Sequence, residues 1–199
     1  MYRAQLSARN RVVLFKALHV VAAHAHKINS DSELRSKLQE LGPMTQMQDP
    51  PLLRLENESY QICLTLLQNI IFDRPTNIGD INIEAHLIDL CSEVLQVYLR
   101  TAKPGQLLRI SSAGQQKPQW LIPIGSSKRR ELAARAPLVV STIHAICDLE
   151  GSSFQKNLAH FFPLFAGLIS CEHGSSEVQL ALSDMLDSWV GPVLLKSCC

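Results

Sequence analysis

The sequence predicts an all-α fold for its 199 residues, and three observations carry that reading. Apolar residues recur at three- and four-residue spacings almost everywhere, the pattern of one-sided helices. No stretch carries a convincing strand pattern. The breaks between periodic stretches are rich in glycine, proline and short polar residues, which punctuate helices. Hydrophobic residues make up 46% of the chain and charged residues 19%, enough apolar matter to fill a core and too little charge for a disordered chain.

The elements follow in order. In a first helix over 8–28, Leu14, Leu18, Val21, Ala25 and Ile28 share one face, with Lys16, His19 and His26 opposite. Ser30 followed by Glu33 has the capping-box spacing and should start a short second helix. That helix carries Leu34, Leu38 and Leu41 and stops at Gly42-Pro43. After the loop GPMTQMQDPP, a third helix is expected from Pro51 or Leu52 to about Asp73. Its apolar positions are Leu55, Ile62, Leu66, Leu67, Ile70 and Ile71. DRPTNIGD breaks the chain, and a fourth helix over 80–101 has Ile83, Leu87, Leu90, Val94 and Tyr98 as its stripe.

Residues 103–126 have no period and read as a basic loop with a docked apolar patch at Trp120, Leu121 and Ile122. Helix resumes over 127–149 and again over 153–171. The internal prolines Pro137 and Pro163 should kink or split these two. A last helix over 175–189 has Val178, Leu182, Met185 and Trp189 on one face and should end at Gly191-Pro192. The helices pair as antiparallel hairpins over 8–42, 52–102 and 127–172. That spacing predicts a HEAT- or armadillo-like solenoid segment, with a compact helical bundle as the rival. The organisation expected is a helical-repeat half over 1–102, a basic irregular linker over 103–126 and a second half over 127–199, in one continuous domain.

Charge is unevenly placed. The net charge of +1 provides no global field for nucleic acid. Yet Lys103, Arg109, Lys117, Lys128, Arg129, Arg130 and Arg135 lie in 103–135 against the single acid Glu131. The remainder holds 12 of the 19 basic and 17 of the 18 acidic residues. Within SSKRRELAARAP, the residues Lys128, Arg129, Arg130 and Arg135 are the candidate contacts for an anionic membrane surface or an acidic partner. A solvated first helical turn explains the same residues.

Other features are weighed against plain structure. Cys171-Glu172-His173 could belong to a reactive or metal site. A zinc site needs about four converging ligands, and none is paired here by spacing. Gly174 reads instead as a helix-ending glycine, with Ser175 or Ser176 capping the next helix. His19, His24 and His26 read as solvated histidines. No phosphate-cradling glycine loop, HExxH or GxSxG occurs, so neither an enzyme nor a cofactor has a foothold. The six cysteines form no CxxC, and Cys63, Cys91 and Cys147 sit in apolar runs. With no cleavable leader and no membrane-length apolar run, a reduced cytosolic chain is expected. Cys198 and Cys199 read as free thiols rather than lipidation sites.

Three blocks, DPPLLRLENESYQICLTLLQNI (49–70), WLIPIGSSKRRELAARAPLVVSTIHAICDL (120–149) and FFPLFAGLISCEHGSSEVQLALSDML (161–186), together resemble a known family. They are similar to the extreme C-terminal region of the large brefeldin A-sensitive Arf guanine-nucleotide exchange factors, the BIG family, in its plant-type members. The resemblance implies a C-terminal, armadillo-like piece of an exchange factor acting in vesicle-mediated transport. It implies residence, peripherally, at trans-Golgi or endosomal membranes. The partners it implies are an Arf or Arf-like small GTPase, the rest of the exchange factor, or a second copy. No segment matches the family's exchange domain with its catalytic glutamate, so no catalytic residue carries over. The alternative is an unrelated helical scaffold that binds other proteins.

Overall fold

A computed structural model describes residues 7–40, 52–73, 81–102, 125–171 and 174–197. Seven helices form among these residues: α1 (Ala8–Ser30), α2 (Ser32–Glu40), α3 (Leu53–Asp73), α4 (Ile83–Ala102), α5 (Ser126–Cys147), α6 (Gly151–Ile169) and α7 (Ser176–Ser197). No strand occurs among the described residues. The fold is all-α, and the arrangement is compatible with a helical solenoid. The chain divides into two compact units, Met1–Val94 and Leu95–Cys199, the division falling inside α4.

In the first unit α1 packs on α3, with α2 against α1. The two long helices run antiparallel: Arg11 near the start of α1 pairs with Asp73 at the end of α3, while His26 near the end of α1 meets Glu56 near the start of α3. Ser7 caps α1, its hydroxyl accepting the Asn10 N–H at 3.3 Å. The core is built from Val12, Phe15, Ala22 and Ala25 of α1, Tyr60, Leu64, Leu67 and Ile70 of α3, and Leu87, Leu90 and Val94 of α4. Fully burying one such large apolar side chain stabilises by about 1.5–3 kcal/mol. In the second unit α5 and α6 both pack on α7. Phe154, Phe161 and Phe165 stack in succession along α6, at 6.4 and 5.9 Å between ring centres. Ile143, Ile146, Leu168 and Leu182 are fully buried.

Several sequence expectations shift. The expected α4 stripe is buried throughout. On α1 the buried stripe is Val12, Phe15, Ala22, Ala25 and Asn29, whereas Leu14 and Val21 are exposed. Leu55, Ile62 and Ile71 of α3 are likewise exposed. The cap of α2 is Asp31 rather than Ser30, its Oδ1 accepting the N–H groups of Glu33 (2.8 Å) and Leu34 (3.1 Å). Aspartate supplies the acceptor at the residue directly before the helix, where it meets the first free amides. Pro137 and Pro163 split neither α5 nor α6. Both prolines are exposed, so the carbonyl each leaves without its helical donor faces water. Similarly, α7 continues through Gly191-Pro192 to Ser197, since a proline fits helical φ and removes only one bond of the ladder. The expected patch at Trp120, Leu121 and Ile122 lies outside the described residues.

Candidate interaction surface

The basic turn opens α5. Gly125 is the N-cap and, having no side chain, provides no capping bond; the first turn contains no acid. Ser126 through Arg130 are all exposed. Cations at the start of a helix oppose its dipole, which favours negative charge there. Lys128, Arg129 and Arg130 therefore raise the local positive potential and do so against helix preference. Such conflicts with local rules concentrate at functional sites.

Arg135 belongs elsewhere. Its residue is 3% exposed, and its guanidinium donates to Glu131 Oε1 from Nε (3.2 Å) and Nη2 (3.1 Å). A buried guanidinium requires such a partner, and Glu131 sits one turn earlier to provide it. Arg135 is thus an internal strut of α5 rather than a surface contact. The candidate surface narrows to Lys128, Arg129 and Arg130. The other basic residues of the island, Lys103, Arg109 and Lys117, lie outside the described residues.

The Cys171 corner is a helix junction. Cys171 donates its backbone N–H to the Leu168 carbonyl (3.2 Å), and Gly174 N–H returns to the Cys171 carbonyl (3.3 Å). Two long-range bonds pin the junction. The Ser175 N–H donates to the Tyr98 hydroxyl at 2.8 Å, and Gln179 Nε2 donates to the Leu168 carbonyl at 2.8 Å. Burial pushes the Tyr98 phenol up from its ordinary range, so it stays neutral. Glu172 and His173 lie outside the described residues, as do Cys198 and Cys199. Burial pushes the Cys63 and Cys91 thiols up to about 12, the Glu93 charge adding to the effect at Cys63. At such values the nucleophilic thiolate is scarce. Among the described residues no three His, Cys, Asp or Glu groups converge as a metal site would need, and no helix is long and apolar enough to cross a membrane.

Sequence reasoning missed a polar seam in the first unit. His19 and His26 are only partly exposed, and each is engaged by a carboxylate. His19 Nε2 lies 2.8 Å from Glu93 Oε2, and the Tyr60 hydroxyl donates to Glu93 Oε1 at 2.5 Å. His26 Nδ1 lies 3.0 Å from Glu56 Oε1, while Asn29 Nδ2 donates to Glu56 Oε2 at 2.7 Å. Glu56 is 0% exposed. The signal was available: Glu56 falls within the buried register of α3, between Leu53 and Tyr60, where an isolated charge demands partners.

A family model described as the BIG2 C-terminal domain matches residues 1–187. The chain belongs to the BIG family. Brefeldin A-inhibited guanine nucleotide-exchange protein 2 of Arabidopsis thaliana is 59% identical over 201 residues, covering 100% of this chain and 11% of that protein. The plant's exchange protein 3 is 53% identical over 199 residues, with the same coverage. Its exchange protein 1 is 32% identical over 195 residues, covering 98% of this chain and 11% of the relative. The BIG chain thus spans 11% of the length of the curated relatives it matches, in their C-terminal region. No solved structure matches it.

Proposed function

We propose that this BIG-family segment is a non-catalytic regulatory and protein-interaction module of an Arf guanine-nucleotide exchange factor acting in vesicle-mediated transport. The observation that carries the reading is the match along the whole chain to proteins named as guanine nucleotide-exchange factors. Its partners are an Arf or Arf-like small GTPase, the remainder of the exchange factor, or a second copy. It works peripherally at trans-Golgi or endosomal membranes, facing the cytoplasm. Lys128, Arg129 and Arg130, exposed at a helix start whose first turn contains no acid, are the residues through which it meets an acidic partner or anionic lipid.

Liposome co-sedimentation tests this, using anionic and neutral vesicles with and without GTP-loaded Arf and Arf-like proteins. Recruitment that depends on GTP supports the regulatory reading and makes the GTPase the partner to map. Recruitment by anionic lipid alone, abolished when Lys128, Arg129 and Arg130 become glutamine, makes the basic turn the contact. No recruitment in any condition refutes a GTPase- or membrane-directed role for the segment.

A further inference from the structure

His19 is enclosed on several sides. The Phe15 ring stacks on it at 5.6 Å and 13°, and Tyr60 of α3 tilts against it at 6.2 Å. Glu93 of α4 reaches its Nε2, using the oxygen that Tyr60 leaves free. Three helices of the first unit therefore converge on one imidazole–carboxylate pair. The pair is half-buried, with the His19 side chain 37% and the Glu93 side chain 35% exposed. A proton can reach it, yet solvent does not fully screen it.

We propose that the His19–Glu93–Tyr60 junction is a proton-operated latch, in which a proton on His19 fastens α1 against α3 and α4 within the first unit. The latch goes beyond the interaction role and does not depend on which partner the chain binds. Neutral His19 can still donate to Glu93 through Nε2–H. The protonated ring adds a full positive charge against the same ionised carboxylate, so an already charge-assisted bond becomes an ion pair. Losing the proton loosens the junction without dissolving it.

The other groups around the pair set its sign. From α3, Tyr60 donates to Glu93, and Cys63 stays a neutral thiol. From α4, His86 tilts against Phe15, with 5.6 Å between the ring centres. Farther along α1, His26 is engaged by Glu56, and its charge adds to the pull on Glu93. The bond to Glu93 raises His19 above its ordinary 6.5, against an opposing effect of burial. The bond to His19 is the largest of the effects that lower Glu93 below its ordinary 4.5; burial opposes it, and the bond from Tyr60 helps. A raised histidine contributes stability in full below 6.5 and loses it as pH rises through the folded value. A lowered carboxylate contributes above 4.5 and loses it as pH falls through its own folded value. The latch is therefore tightest between 4.5 and 6.5 and slackens as pH climbs above that window.

Hydrogen–deuterium exchange of the full chain from about pH 8 to about pH 5.5 tests it, with rates corrected for intrinsic exchange and α6 as internal reference. Protection of α1 is expected to rise severalfold relative to α6 on acidification. In His19→Gln, which keeps a donor but cannot titrate, that rise is lost. An unchanged rise in His19→Gln overturns the proposal. Should the variant fail to fold, NMR titration of the wild-type imidazoles decides: a His19 midpoint above 6.5 that coincides with the α1 transition supports the latch. A midpoint at or below 6.5, or one displaced from the α1 transition, overturns it.

Discussion

Replacing Glu56 by alanine probes the polar seam at its most buried point. The carboxylate is 0% exposed and accepts from Asn29 Nδ2 at 2.7 Å and from His26 Nδ1 at 3.0 Å. Alanine leaves the Asn29 amide buried with its donor unpaired, at about 1–3 kcal/mol. The lost methylene adds about 0.8 kcal/mol. His26, whose side chain is 24% exposed, regains water and contributes little. The expected loss is about 2–4 kcal/mol, a large fraction of the roughly 5–15 kcal/mol typical of a domain. Urea denaturation followed by circular dichroism reads this as a drop of about 1–2 M in the midpoint, at unchanged slope. A double-mutant cycle sharpens the test. Asn29→Ala removes the stranded donor and also a carbonyl oxygen that is itself buried without a partner. The pair should then cost about 1–3 kcal/mol less than the sum of the singles. Glu56→Ala within about 0.5 kcal/mol of wild type, or an additive cycle, would refute the assignment of this carboxylate as the anchor of α1 on α3.

Two further outcomes follow from the geometry. Tyr98→Phe keeps the shape of a side chain that is 1% exposed but removes the acceptor of the Ser175 N–H. It should cost about 1 kcal/mol, read by thermal or urea unfolding. Cys63 and Cys91, pushed up to about 12 by burial, should resist alkylation in the native chain at neutral pH. They should react at ordinary thiol rates in denaturant, a contrast that mass spectrometry of labelled peptides reads directly.

Legibility in the sequence depended on how strongly each helix is committed to the core. On α4 all five expected residues are buried, and Ile88, Cys91, Leu95 and Leu99 are buried beside them, so apolar matter covers most of that helix and little room for error remains. The α1 sequence spreads alanine, valine and histidine around its circumference, so several registers look equally apolar. Packing selects the one centred on Val12, Phe15 and Ala22. The histidines misled for a related reason: their carboxylate partners stand 30 and 74 residues away, beyond the reach of any local pattern. The basic turn of α5 was readable because exposure is what a charge run favours. Arg135 was not, because its burial is a consequence of tertiary packing, although Glu131 four residues before it has the spacing of a helical ion pair. The junction at Cys171 was legible as a corner, but Gly174 does not end the helix before it: α6 stops at Ile169 with Ser170 as its C-cap. Its pins, Tyr98 and Gln179, come from other helices, and nothing within the corner itself announces them.

The internal proline of α5 has a mechanical meaning. Pro137 donates nothing to the Ala133 carbonyl, and both residues face solvent, so the helix is weakest at that turn. Six of its nine buried residues, from Leu138 to Ile146, lie beyond it. The C-terminal stretch is thereby anchored in the second unit while the stretch bearing Lys128, Arg129 and Arg130 hangs on Leu132, Arg135 and Ala136 alone. A load applied to the basic turn, by a bilayer or a protein drawing it outward, would be spent in unwinding about three turns of helix up to the proline. The anchored portion would feel little of it, so α5 can yield at its charged tip without disturbing the core behind it.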